Sequence, residues 1–174
     1  LGAGVIAEQP SWGRYVVAEN GTLDTNLLSN WNYRQQLTFN NVSQGEDLSD
    51  FPVLVVLDSD RIDYSKTQDA GEDLRFYDAD GSLLAHEIES WDESGKSYVW
   101  VRVPQIDAGS RDDFIWMHYG NSSVADGQNA AGVWGSDYDG VYHLNESGAS
   151  LGDSTANNFD GVNTGSINGT GRLG

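Results

Sequence analysis

The sequence lacks cysteine entirely and is poor in basic residues, with nine lysines and arginines against 27 aspartates and glutamates. Without cysteine, thiolate catalysis, cysteine-ligated zinc and disulfide cross-links are all excluded. The formal net charge of −18 disfavours binding to nucleic acid or to anionic lipid, because both need clustered Lys and Arg. No apolar run approaches the roughly 20 residues that a membrane helix requires, so direct membrane insertion is not expected.

The residues that are present suffice for a packed domain. Of the 174 residues, 38% are hydrophobic and 11% aromatic, and 21 glycines indicate many turns. Apolar and polar residues alternate with a period of two, and no window shows a helical apolar stripe. Strands are predicted at residues 33–40, 51–58, 73–77, 83–91, 97–104 and 113–119. The short turns between them favour antiparallel hairpins, so the predicted fold is an all-β, jelly-roll-like antiparallel β-sandwich with extended N- and C-terminal segments.

The alternation also predicts which residues share one face of a sheet. In residues 97–104, Val99, Val101 and Val103 lie on one face, and the aromatic and basic side chains lie on the other. Residues 51–57 are apolar at every position, which is typical of a strand covered on both faces. We therefore expect this strand at the centre of a sheet.

Composition divides the chain into an N-terminal extended segment, a β-sandwich domain, and a linker with a partial jelly-roll-like C-terminal segment (residues 1–30, 31–121 and 122–174). Within the first of these, Arg14, Tyr15, Val16 and Val17 form a strand-like run with no obvious hairpin partner. Residues 138–144 form a second apolar run that lacks a partner. Unpaired strands of this kind add to the sheet edges of neighbouring subunits, so we predict self-association through the end strands.

Several pieces of the strand pattern resemble a known family. They are WNYRQQLTF (31–39), FPVLVVL (51–57), DLRFYDADGSLLAHEIESWD (73–92), YVWVRVPQI (98–106) and WMHYGN (116–121). In order and spacing they are similar to an uncharacterised secreted β-domain found in long ExbB-type biopolymer-transport proteins and in bacterial and archaeal surface proteins. The resemblance, over residues 31–121, implies an extracytoplasmic β-sandwich and no particular activity.

A second resemblance begins where the first ends. VYHLNE (141–146) and DSTANNFDG (153–161) resemble the opening of a laminin-G or concanavalin-like module. A complete module of that type would need about a hundred further residues. The resemblance therefore implies no lectin-type ligand site in this sequence.

Candidate catalytic residues do not converge. Strand alternation places His86 on one face and Glu87 and Glu89 on the other, so we interpret these as solvated charges at a hairpin edge. His118 and His143 show no metal-ligand spacing and are interpreted as structural. No nucleophile elbow, P-loop or dinucleotide fingerprint occurs in a supporting context. The sequence predicts a protein that is not an enzyme.

Acidic clusters indicate a candidate Ca²⁺ site, and no other cofactor is expected. Asp78 and Asp80 begin an Asp-x-Asp-Gly run, and Asp137 and Asp139 form a second pair of hard oxygen ligands. The same letters are typical of plain β-turns, which favours solvated turns over metal ligands.

An aromatic set allows two interpretations. Tyr98, Trp100 and Trp116 could stack on sugar rings, because flat aromatic side chains suit the apolar faces of sugars. Alternatively they fill the core between the sheets, as buried Trp does in many sandwiches. The expectation that residues 51–57 are covered on both faces favours the core.

Five sequons occur, at Asn20, Asn41, Asn121, Asn145 and Asn168, and would be glycosylation sites in a secretory pathway. Together with the acidic composition they favour a secreted or cell-surface protein. The predicted function is that of a non-catalytic structural protein, a surface or filament subunit joined by strand exchange. The alternative is an extracellular carbohydrate-binding or adhesion module.

Overall fold

The computed structural model describes residues 30–146, 148–165 and 167, and in this part the chain is almost entirely β-structure. Seven strands form the body: β1 (Tyr33–Thr38), β2 (Leu48–Leu57), β3 (Arg75–Asp78), β4 (Leu83–Leu84), β5 (His86–Ser90), β6 (Ser97–Ile106) and β7 (Phe114–Tyr119). They form one sheet of order β1-β7-β3-β4 and another of order β2-β6-β5, with antiparallel pairing throughout. The predicted all-β antiparallel fold is confirmed.

The remaining elements are short. A single 3₁₀ turn covers Tyr64–Lys66, helix α1 covers Ala130–Val133, and β8 (Ser150–Leu151) pairs with β9 (Gly161–Val162). No helix in the described ranges has the length and apolar character needed to cross a membrane.

One hydrophobic core lies between the two sheets, and the period-two pattern explains it. Val99, Val101 and Val103 of β6 are buried, and the intervening side chains of that strand are only half-buried. Across the core, Ile115 and Met117 of β7 are also buried. Each such side chain contributes about 1.5–3 kcal/mol on burial. The predicted faces of β6 are confirmed.

The prediction that residues 51–57 form a central strand is wrong. Among the described strands β6 is central in its sheet, and β2 pairs only with β6. The second face of β2 is half-buried at Leu54 and Val56, which lie beside Trp100 and Tyr98 of β6. Large neighbours directly opposite on β6 therefore contribute to the burial of this face.

The predicted strand at residues 83–91 belongs to both sheets. β4 pairs with β3 in the four-stranded sheet, and β5 pairs with β6 in the three-stranded sheet. The chain changes sheets at Ala85, whose carbonyl accepts a 3.0 Å hydrogen bond from the Arg102 N–H. Leu84 and His86 on either side are both buried, so the alternation continues through the corner.

A buried carboxylate joins the loop before β3 to the end of β7. Asp73 is fully buried and accepts hydrogen bonds from three backbone N–H groups, those of Gln68 at 2.9 Å, Gly120 at 2.6 Å and Asn121 at 2.9 Å. Gly120 has φ +89°, and a Cβ there would lie 2.5 Å from the Tyr33 ring. A side chain at residue 120 would therefore disrupt this junction.

After β7 the chain crosses the outer face of the three-stranded sheet. Beside β5, the Asn129 N–H donates to the His86 carbonyl at 2.8 Å, and the Ile88 N–H donates to Gln128 Oε1 at 2.6 Å. The Asn129 side chain caps α1 by accepting from the Gly132 N–H at 3.0 Å. This part of the chain thus packs on the sandwich. From here on, the C-terminal segment means its described residues, 122–146 and 148–165.

The expectation of an apolar strand at residues 138–144 is wrong, because this stretch makes no strand ladder. Side chains bind its backbone instead. The Val141 N–H donates to Asp153 Oδ1 at 2.9 Å, and Asn157 Nδ2 donates to the Asp139 carbonyl at 3.0 Å. With the Ser154 N–H bonded to the Val141 carbonyl at 2.9 Å, these contacts occupy part of the segment's backbone without a strand partner.

Candidate functional site

Two carboxylates lie between the three-stranded sheet and the C-terminal segment. Because His86 points into the core, alternation along β5 directs Glu87 and Glu89 outward, as predicted. The expectation that these are solvated charges is wrong, since only 9% of Glu87 is exposed. A buried carboxylate needs hydrogen-bonding partners.

Three side chains of the C-terminal segment contact Glu87, two of them as hydrogen-bond donors and the third within ion-pair distance. The indole Nε1 of Trp134 donates to its Oε2 at 2.6 Å, and the Ser154 hydroxyl donates to its Oε1 at 2.5 Å. His143 Nε2 lies 3.2 Å from Oε2. The side chain of one sheet residue thereby binds three separate parts of the C-terminal segment.

Glu89 is the second carboxylate beside His143. It accepts a 2.6 Å hydrogen bond from the indole Nε1 of Trp100, and its Oε2 lies 3.5 Å from His143 Nδ1. We call Glu87, Glu89 and His143 the Glu–His cluster. Trp134 covers the cluster, with its ring centroid 5.1 Å from that of Trp100 and 5.9 Å from that of His143.

The electrostatics of the cluster favour its charged form. Contact with Glu87 raises the pKa of His143 despite its partial burial, and the charges of Glu89 and Glu146 act in the same direction. Burial alone would raise the pKa of Glu87, yet hydrogen bonds from His143, Ser154 and Trp134 outweigh it and lower this pKa. Both shifts favour a protonated His143 beside an ionised Glu87.

The order of contacts differs from that of a catalytic triad. In a triad the imidazole lies between the hydroxyl and the carboxylate and accepts the proton of the nucleophile. Here Ser154 donates to Glu87, and His143 contacts Glu87 through the other carboxylate oxygen. The arrangement suits stabilisation of a protonated His143 by carboxylates and an indole ring more than activation of the Ser154 hydroxyl group.

The predicted aromatic set is divided between the two sheets. Tyr98 and Trp100 lie half-buried on the outer face of the three-stranded sheet, whereas Trp116 lies on the outer face of the four-stranded sheet, under the Arg34 guanidinium at 4.1 Å. None of the three belongs to the core between the sheets, so the core interpretation is wrong. Alternation puts Val99, Val101, Ile115 and Met117 into the core and turns Tyr98, Trp100 and Trp116 outward.

The predicted calcium ligands lie in two separate turns. Asp78 Oδ1 accepts from the Ala79 N–H at 2.8 Å, and Asp80 Oδ1 accepts from the Ser82 N–H at 2.8 Å, as in β-turns. Asp137 and Asp139 are exposed. Within the described residues no three His, Asp or Glu side chains are placed to hold a metal ion. Calcium binding stays a prediction.

The sequons differ in accessibility. Asn41 is 3% exposed and donates to the carbonyls of Glu46 and Asp107, and Asn121 is also buried, accepting from the Ser123 N–H. A glycan on either side chain does not fit this fold. Asn145 is exposed, with its Nδ2 donating to the Glu89 carbonyl at 3.0 Å.

Three predicted features lie outside the described residues. They are the strand-like run of Arg14, Tyr15, Val16 and Val17, and the sequons at Asn20 and Asn168.

The fold and the site define an antiparallel β-sandwich whose three-stranded sheet is covered by the chain that follows it. The model of a family described as a domain of unknown function, DUF2341, matches residues 70–171. Since this is more than half of the chain, the protein belongs to that family. The match includes the Glu–His cluster and extends beyond residue 121, across the boundary predicted between sandwich and linker. No curated protein and no solved structure matches the chain.

The part of the site missed from the sequence is the contribution of the C-terminal segment. Trp134 contacts a carboxylate 47 positions away, and no local pattern reports such a distance. One signal was available: Val133 and Trp134 are large apolar neighbours in an otherwise small and polar stretch. Residues of this kind in a linker indicate a docking point on a folded domain.

Proposed function

We propose that the protein is a non-catalytic, secreted surface or filament subunit that joins its neighbours by strand addition at the outer edge of β2. The observation that supports this best is the edge itself. β2 is ten residues long, and within the described part of the chain it pairs on one side only. A long apolar edge strand is a template for pairing with another chain.

The direction of the backbone groups at this edge follows from Arg61. Its Nη1 donates to the Val56 carbonyl at 3.0 Å, so the backbone groups of Val56 face away from β6. By alternation those of Leu54 and Pro52 face the same way. Proline in a sheet belongs where its missing N–H faces outward, which agrees with this assignment.

The proposed donor is the run that begins at Arg14, and its role rests on sequence alone. Residues 14–18 (RYVVA) are rich in β-branched side chains, and five residues would fit along the seven-residue apolar part of β2. A secreted location is supported by the resemblance to surface proteins and by the acidic composition. Two end strands were predicted to pair with a neighbour. Side chains bind the backbone of residues 138–144, so the run at residues 14–18 is the one that we propose as the donor.

Charge acts against the assembly. Copies that each carry a net charge of −18 repel one another, and this repulsion extends further when little salt is present. We therefore expect the assembled fraction to rise with added NaCl. Millimolar calcium at matched ionic strength should raise it further if the Asp turns bind the ion, and calcium without added effect would end that hypothesis.

A proline placed on the outward edge tests the proposal. In the full chain, Leu54→Pro removes an N–H that faces away from β6, so the sandwich should fold while association at high salt is lost. Leu54→Val keeps the N–H and serves as the matched control. Sedimentation velocity measures the masses, and circular dichroism verifies the fold.

Removing the donor gives the complementary test. Deletion of residues 1–18 should leave a folded monomer, and a peptide of residues 11–20 should bind it. If the deleted chain unfolds, the run pairs within its own sandwich. That outcome, or a full-length chain that stays monomeric at high concentration and high salt, contradicts the proposal.

One observation favours a second function, carbohydrate binding. Tyr98 and Trp100 lie half-buried side by side on an outer sheet face, where Glu89 fixes the Trp100 indole and Trp134 packs against its ring, so a sugar would bind beside the C-terminal segment that covers this face. Tryptophan fluorescence with cellotetraose and chitotetraose tests this. Trp100→Ala should abolish a response that Trp116→Ala, on the opposite sheet, leaves intact.

A further inference from the structure

Beyond α1, the side chains that attach the C-terminal segment to the sandwich converge on one carboxylate. Trp134, His143 and Ser154, which are spread over 21 positions of sequence, all converge on Glu87. Asn145 adds a hydrogen bond to the Glu89 carbonyl. Residues 125–133 are held separately, by backbone hydrogen bonds of Ala125 and Asn129 and by buried Val133, so the state of Glu87 and His143 governs how firmly the residues that follow are held.

The groups around His143 are almost all acidic or aromatic. From the sheet it faces Glu87 and Glu89, and from its own segment Glu146 and the ring of Trp134. Arg102, a cation on the same face of β6, pairs instead with Asp50 at 3.3 Å and donates to the Gly132 carbonyl. Loss of the proton from His143 would therefore leave carboxylates facing each other without a cation between them.

We propose that the Glu–His cluster is a pH-sensitive clasp that holds the part of the C-terminal segment after α1 on the sandwich at mildly acidic pH and releases it as the solution becomes alkaline. Release exposes Trp134 and the outer face of β5 and β6 without unfolding the sandwich. The bistable element is residues 133–146, and protonated His143 selects its docked position.

The direction of the effect follows from the two titrations. The pKa of His143 is raised on folding, so its stabilisation is complete below 6.5 and disappears as pH rises through the raised value. The pKa of Glu87 is lowered, so its contribution is complete above 4.5 and disappears as pH falls through the lowered value. Both contributions are complete between pH 4.5 and pH 6.5, where the clasp is tightest, and the clasp opens as pH rises above this range.

Hydrogen exchange of the full chain tests the clasp, with protection factors that correct for the intrinsic pH dependence of exchange. Between pH 6 and pH 9, protection of residues 133–146 should fall about tenfold, the size expected for loss of a charge-assisted contact. Protection of β6 should stay constant. His143→Gln should show the low protection at both pH values, and His118→Gln, on the other sheet, should behave like the wild type.

Two results would overturn the proposal: protection of residues 133–146 that does not change between pH 6 and pH 9, or a His143→Gln variant with wild-type protection. Glu89→Gln provides a second variant, which weakens the clasp while keeping Glu87 and His143. Exchange protection of β6 is measured in the same experiment, so a variant that unfolds globally is recognised by its loss of protection in β6. In that case the comparison of wild-type protection at pH 6 and pH 9 decides whether the clasp exists.

Discussion

The sandwich and the C-terminal segment are stabilised by different kinds of interaction. The sandwich has strand ladders and an aliphatic and aromatic core, in which Phe76, Met117 and Val101 are fully buried. In its described residues the C-terminal segment has one two-residue strand pair and depends largely on side-chain acceptors, chiefly Glu87 and Asp153. Burial of apolar area changes little with pH, whereas charge-assisted hydrogen bonds titrate. The two regions should therefore respond differently to the solvent.

The three histidines show the same contrast. Burial lowers the pKa of His86 and that of His118 to about 4, with Arg75 and Arg34 respectively acting in the same direction. In the C-terminal segment, contact with Glu87 raises the pKa of His143. Acid should therefore weaken the sandwich, because buried His86 and His118 resist protonation in the folded state. At the same pH, His143 stays protonated and its contact with Glu87 is kept.

The largest expected effect comes from the core. Phe76→Ala should lower the free energy of unfolding by about 3–5 kcal/mol, because it removes a fully buried ring from between the sheets. Trp116→Ala is the control, since that ring is half-buried on an outer face and should cost clearly less. Urea denaturation measures both, and equal losses would contradict the assignment of the core.

A smaller and more local effect is expected at the junction of the two regions. Trp134→Phe keeps a ring but removes the N–H that donates to Glu87 at 2.6 Å. Hydrogen bonds to charged groups are worth about 1.5–3 kcal/mol. Exchange protection of the C-terminal segment should fall while that of β6 is kept. A loss spread evenly over both regions would show that they unfold as one unit.

The third prediction concerns acid stability. From pH 7 to pH 5 the unfolded chain protonates His86 and the folded chain does not, which costs about 2 kcal/mol for a folded pKa of about 4. Neither ring nitrogen of His86 has a hydrogen-bond partner, so His86→Leu removes this cost at little expense. The variant should lose visibly less stability than the wild type over this range. Denaturation at the two pH values is the measurement, and identical losses would refute the explanation.

The sequence predicted what depends on local pattern. Alternation in β6 grouped Val99, Val101 and Val103 on one face correctly, because one buried face imposes a period of two, but the sequence favoured the opposite, aromatic face as the core. It did not reveal that β2 lies at an edge, since a face sheltered by Trp100 and Tyr98 shows the same apolar residues as a face covered by another layer.

The candidate site depended on contacts that no pattern contains. Glu87 and Glu89 were placed on the correct face, but their surroundings are supplied by residues 134–154. The change of sheet at Ala85 was hidden for a related reason, because Leu84 and His86 continue the alternation across the corner. Long-range packing decides both features.

The most direct test of this contrast is an NMR titration of the three imidazole rings in the full chain. His86 and His118 should titrate near pH 4, at the edge of acid unfolding, and His143 should titrate above 6.5. Glu87→Gln should move the midpoint of His143 downward and leave the other two in place. A wild-type His143 that titrates together with His86 and His118 would contradict the view that the two regions are held by different interactions.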